Sequence, residues 1–175
     1  VSEIHLIDVA SGDKQHVAGG GSEWAAGPRA VPDGGFLYVS DADGWFQVVR
    51  LAADGRTRTV LTAGQRDHGE PSGSYGYAPL PTPDASRFVH CDIHDALTDL
   101  VVAPIGGATP VRRGRGRPPR HPAPTLDATA GVVVNPWPGL WRSVGFTADG
   151  AWLAAIGESQ DRPQDLWLLP VPGVA

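Results

Sequence analysis

The chain has no methionine, a single lysine (Lys14) and a single cysteine (Cys91) in 175 residues. One thiol excludes an internal disulfide and any zinc site built on several cysteines. It suits a reducing compartment, so the expected location is cytoplasmic, although a chain that begins at Val1 leaves room for a leader already removed. No apolar run is long enough to span a bilayer, and no membrane partner is expected. No segment combines the length of a helix with a 3.6-residue apolar period. That leaves strands and turns.

What the chain has in quantity is turn material, 23 glycines and 17 prolines, in a composition that is 41% hydrophobic and 19% charged. This is a globular sequence with enough apolar mass for one core and without the charge excess of a disordered chain. The net charge of −5 conceals an asymmetry. Arg112, Arg113, Arg115, Arg117 and Arg120 stand together with no acid among them, so residues 112–124 read as a basic Pro/Gly-rich loop on an acidic body.

Pro32 to Thr62 is the most legible stretch. Asp33-Gly34, Asp43-Gly44 and Asp54-Gly55 each precede a short apolar or β-branched run: Phe36 to Ser40, Phe46 to Leu51, and Thr57 to Leu61. Asp-Gly supplies the positive-φ positions that tight hairpins require, so the stretch reads as antiparallel strands, four with a short one before Asp33. The pattern recurs. Val31-Pro32-Asp33-Gly34 is echoed by Thr82-Pro83-Asp84-Ala85 and Thr147-Ala148-Asp149-Gly150. An apolar strand running into a glycine turn recurs after Ile4, Val48, Leu100 and Leu166.

Repetition of a four-stranded unit at this scale implies stacked sheets, because one narrow sheet cannot bury both faces alone. The expected fold is all-β, a β-propeller segment with two complete and two partial blades, at about 1–20, 28–64, 76–113 and 141–173. A β-sandwich also uses many short strands but lacks an in-order repeat. Blades without neighbours leave sheet edges open, so the expectation is a portion of something longer, partnered by the rest of the propeller or by another domain.

Ser40-Asp41-Ala42-Asp43-Gly44-Trp45-Phe46-Gln47-Val48-Val49-Arg50-Leu51, followed by Asp54-Gly55 and Val60-Leu61-Thr62, resembles the propeller text of prolyl oligopeptidase family serine peptidases, especially the dipeptidyl aminopeptidase and acylaminoacyl peptidase branch. Phe146 to Gly150, with Glu158-Ser159 and Arg162 to Trp167, resembles a second passage of it. Related text also occurs in the Tol-system periplasmic propeller. The peptidase resemblance implies a non-catalytic propeller that roofs a separate α/β-hydrolase domain and admits short peptides. No Gly-x-Ser-x-Gly elbow is present here, and Ser74 in Gly73-Ser74-Tyr75-Gly76 lacks its spacing. No catalytic residue and no cofactor is therefore assigned to the chain.

Candidate binding residues are few. Aminopeptidase-like members of that family hold the substrate's ammonium group with propeller carboxylates, which singles out Glu158; a plain loop role, paired with Arg162, is the competing reading. His90, Asp92 and His94 alternate and would share one strand face, as a zinc set does. A polar strip with Cys91 and Ile93 buried opposite is the favoured reading. Asp41, Asp43 and Gly44 begin like a calcium loop but lack the later oxygen ligands, and hairpin chemistry already explains them. No metal site is expected. Trp152 and Trp167 are expected to pack between blades, and Trp137 and Trp141, in a Pro- and Gly-rich loop, to be exposed. Arg115-Gly116-Arg117-Pro118 matches the core of an AT-hook. It makes Arg115 and Arg117 candidates for the DNA minor groove, so the alternative to the peptidase reading is a stand-alone propeller binding module, for protein or, through the 112–120 arginine loop, for DNA.

Overall fold

The computed structural model describes residues 2–69, 78–106 and 131–173, and among these it contains strands and no helix. A two-stranded sheet of β1 (Glu3–Ile7) and β2 (Lys14–Gly19) comes first. A four-stranded sheet follows, in the order β3 (Ala25–Ala30), β4 (Phe36–Ser40), β5 (Gln47–Leu51), β6 (Arg58–Val60). The next has β7 (Leu80–Pro81), β8 (Arg87–His94), β9 (Leu97–Pro104) and β10 (Val132–Val133). The last has three strands, β11 (Leu140–Phe146), β12 (Trp152–Ser159) and β13 (Arg162–Pro170). All pairs are antiparallel and join strands consecutive in sequence.

The repeated turns explain this meander. In each of the three larger sheets the first and second strands are joined by the same device. The fourth turn residue donates its N–H to the carbonyl of the first: Gly34 to Val31 at 2.9 Å, Ala85 to Thr82 at 2.9 Å, Gly150 to Thr147 at 2.8 Å. The aspartate at the third position accepts a backbone N–H two residues on, Gly35, Ser86 or Ala151, at 3.0 to 3.1 Å. Such Asx geometry offers the chain a turn without a partner strand. The residue after each aspartate has positive φ, 91° at Gly34, 59° at Ala85 and 72° at Gly150. The middle copy holds this geometry without glycine.

Side chains on the middle strands alternate between two cores. Leu37 and Val39 of β4 point toward Phe88, Ala103 and Ile105 of the next sheet, whereas Tyr38 points back to Ile4, Val17 and Ala18. On β8, Phe88 faces the preceding sheet, and Val89 and Cys91 face Trp141, Leu153, Ala155 and Leu169 of the following one. Three cores thus separate four sheets.

The fourth strand of the third sheet is Val132–Val133, which pairs with Val102 and Val101. One expectation needs correction: Trp137 and Trp141 are not exposed. Trp141 is fully buried and lies in β11, while Trp137 is half-buried against it with ring centroids 4.7 Å apart. Asn135 fixes the loop, receiving the N–H of Leu100 at 2.8 Å and donating to Asp99 and to the Trp137 carbonyl at 3.0 Å each. Trp167 completes the aromatic cluster at 4.7 Å from Trp137, as expected of a packing residue, whereas Trp152 is 45% exposed.

The outer face of the last sheet is uncovered. Trp152, Leu166 and Leu168 are exposed there, the two leucines by more than 60%. Arg162 lies over the Trp137 ring at 4.6 Å, a cation–π contact that occupies it.

Gly157 stands directly opposite Trp141, and a Cβ there would come within 2.6 Å of the indole. Gly157→Ala is expected to lower unfolding free energy by about 1–3 kcal/mol in urea titrations, and by much less in a Trp141→Leu background. Equal costs in both backgrounds would show that the indole does not set the limit.

Candidate functional site

β3, β7 and β11 are the first strands of their sheets, and each leaves an edge unpaired. These edges converge. Arg29 of β3, Ala78 and Leu80 at β7, Arg142 and Val144 of β11, and Ile156 of β12 line one open cleft of about 210 Å³. Gly27 permits the approach of β3 to β7: its φ is 63°, and a Cβ there would meet the Ala78 methyl at 3.1 Å.

Glu158 lies beside this cleft. Register pairs Leu140 with Glu158 and Arg142 with Ile156, which sets Arg142 and Glu158 diagonally on one face of the sheet. Their ion pair is loose at 3.9 Å, and Glu158 remains 38% exposed. The competing pairing with Arg162 does not form, because Arg162 is on Trp137. Arg142 also keeps a buried Nε–H with no acceptor.

The alternating His90, Asp92 and His94 do share one face, turned toward residues 63–69. His90 is buried, stacked on Phe88 at 5.4 Å and met edge-on by His68 at 5.1 Å. Asp92 accepts from Arg66 at 3.0 Å, and the His94 ring is hydrogen-bonded to Asp99 at 3.0 Å. Each member is thus committed to a different neighbour. No group of metal-binding side chains occurs among the described residues. Cys91 is buried on the opposite face, with Ile93 half-buried beside it. His68 is the member that sequence reasoning missed; it joins through loop geometry, its N–H donating to the Phe46 carbonyl at 2.7 Å, and no sequence spacing signals that.

Ser74, Arg115 and Arg117 lie outside the described residues.

No family model and no curated protein matches the chain. Solved structures do. A puromycin-hydrolyzing peptidase from Mycobacterium tuberculosis superposes with a TM-score of 0.67 at 16% identity, over 99% of this chain and 23% of that one. TolB from Acinetobacter baumannii gives 0.67 at 11% identity, over 99% of this chain and 36% of its own. A puromycin hydrolase gives 0.58 at 18% identity, over 88% and 20%. The fold is that of β-propeller blades. Among the described residues two blades have four strands, one has three and one has two. This chain spans well under half the length of each of these propeller-containing proteins.

Burial between two blades holds His90 neutral, its pKa pushed down to about 3, and burial lowers that of His68 as well. An unfolded histidine takes its proton near pH 6.5, whereas folded His90 does not until about pH 3, so stability is full above pH 6.5 and falls as the pH drops below it. The hydrogen bond to Asp99 raises the pKa of His94, which opposes this trend. His90 alone is expected to contribute a slope of about 1.4 kcal/mol per pH unit below pH 6.5. His90→Phe should remove that part in urea titrations between pH 7 and 5; an unchanged slope would contradict a neutral buried imidazole.

Proposed function

We propose that the chain is the non-catalytic propeller portion of a prolyl oligopeptidase family serine peptidase. In this reading it roofs a separate α/β-hydrolase domain and limits entry to short peptides. The observation that carries the reading is structural likeness over nearly the whole chain to a piece of a puromycin-hydrolyzing peptidase, on a sequence with propeller text of that family. The uncovered apolar face of the last blade supports it, since exposed contiguous apolar surface marks a place for another element. Trp152, Leu166 and Leu168 would then pack against further blades, and the inner-edge cleft would open on the path of entering substrate.

The equal likeness to TolB favours the alternative of a propeller used purely for protein binding. The complete reading frame separates the two. The peptidase reading expects a Gly-x-Ser-x-Gly elbow with its Asp and His partners in the same protein, and hydrolysis of dipeptide anilides but not of folded proteins. A reading frame with no hydrolase domain would overturn it.

Glu158 is proposed to hold the ammonium group of the incoming peptide, drawing its carboxylate from the loose pair with Arg142. Glu158→Gln in the complete enzyme should raise KM for peptides with free amino termini about tenfold while leaving blocked peptides unaffected. An equal effect on both would remove Glu158 from substrate binding.

A further inference from the structure

We propose that the inner-edge cleft is a binding site for a small carboxylate that carries a short branched aliphatic group. This does not rest on the peptidase reading, because it follows from what lines the cleft.

Its charged members are unbalanced. Arg29 and Arg142 bring two guanidinium groups to the cleft, and Glu158 beside it supplies one carboxylate. Among the described residues the Arg29 guanidinium has no hydrogen-bonding or ionic partner. Arg142 reaches Glu158 only at 3.9 Å, beyond hydrogen-bond length, and its buried Nε–H has no acceptor. Donors with unused capacity therefore stand at the cleft with one positive charge in excess. A carboxylate offers the planar, two-oxygen face that a guanidinium fork matches.

The remaining walls are aliphatic apart from Ser143. Ala78, Leu80, Val144 and Ile156 present carbon, and Val144 is 55% exposed, so a branched alkyl group settling there would cover apolar surface now in water. Among the described residues no aromatic ring lines the cleft to stack on a base or an aromatic acid. Its volume of about 210 Å³ is below the roughly 300–1,000 Å³ of pockets for drug-sized ligands. That size suits a free branched acid or the last residue of a peptide. A bare phosphate would use the arginines and leave the aliphatic walls wet.

Isothermal titration of the purified protein tests this with isovalerate, N-acetyl-alanyl-valine, the amide of that dipeptide, and inorganic phosphate. Saturable binding of the dipeptide acid, at least about tenfold tighter than its amide, is expected, since the amide loses the charge-assisted contacts. Arg29→Gln, an exposed position where loss of the fold is not expected, should weaken acid binding about tenfold, and Arg142→Lys, which keeps the charge and loses the fork, should weaken it too. Isovalerate binding as well as the dipeptide identifies free acids as ligands; dipeptide binding without isovalerate identifies a peptide carboxyl terminus. Absence of saturable binding, equal affinity for acid and amide, phosphate binding as tightly as the acids, or an Arg29→Gln protein that binds like the parent would each overturn the proposal.

Discussion

Each sheet is too narrow to protect itself, and that constraint organises the molecule. With at most four strands, a sheet here has two faces and no helix among the described residues to cover either, so each face must be covered by another sheet. The middle strands meet the requirement by carrying two sets of apolar side chains, one for each neighbour. Tyr38 and Leu37 are adjacent in sequence yet belong to different cores, as do Phe88 and Val89. Stability is therefore held between sheets, and the terminal sheets inherit an unmet demand, visible in Leu166 and Leu168.

Strand edges complete the picture. The stacking that buries the faces also brings the first strands of successive sheets together with their edges unpaired, and the cleft formed by Arg29, Leu80 and Arg142 is a consequence of it. Charged side chains are tolerated there because the edge meets solvent. The polar strip of His90, Asp92 and His94 lies elsewhere, under residues 63–69, and acts as part of the packing between two blades.

The repeats made most of this architecture legible before the structure. Asp33, Asp84 and Asp149 mark equivalent turns because an Asx turn is a local device, encoded within four residues and indifferent to what packs above it. Phe36 to Ser40 is a strand, as its residue types, its length and the flanking Asp-Gly turns indicate. Two features resisted for physical reasons. Val132-Val133 is a two-residue strand separated from its partner by residues 105–131, and pairing across such a gap leaves no local trace. Trp141 follows Pro136, Pro138 and Gly139, which read as loop residues, and its burial depends on Gly157, sixteen positions later, lacking a side chain. The cleft was illegible for the same reason: Arg29 and Arg142 are brought together by stacking alone.

On the function proposed above, the outer face and free edge of the last sheet are covered in the complete protein. Amide hydrogen exchange over Arg162–Pro170, compared between this chain alone and the complete protein, tests it most directly. The outward-facing amides of β13 are predicted to exchange rapidly in the chain alone and to become protected in the complete protein. Exchange equally fast in both would mean that no blade covers this sheet, and would contradict the account.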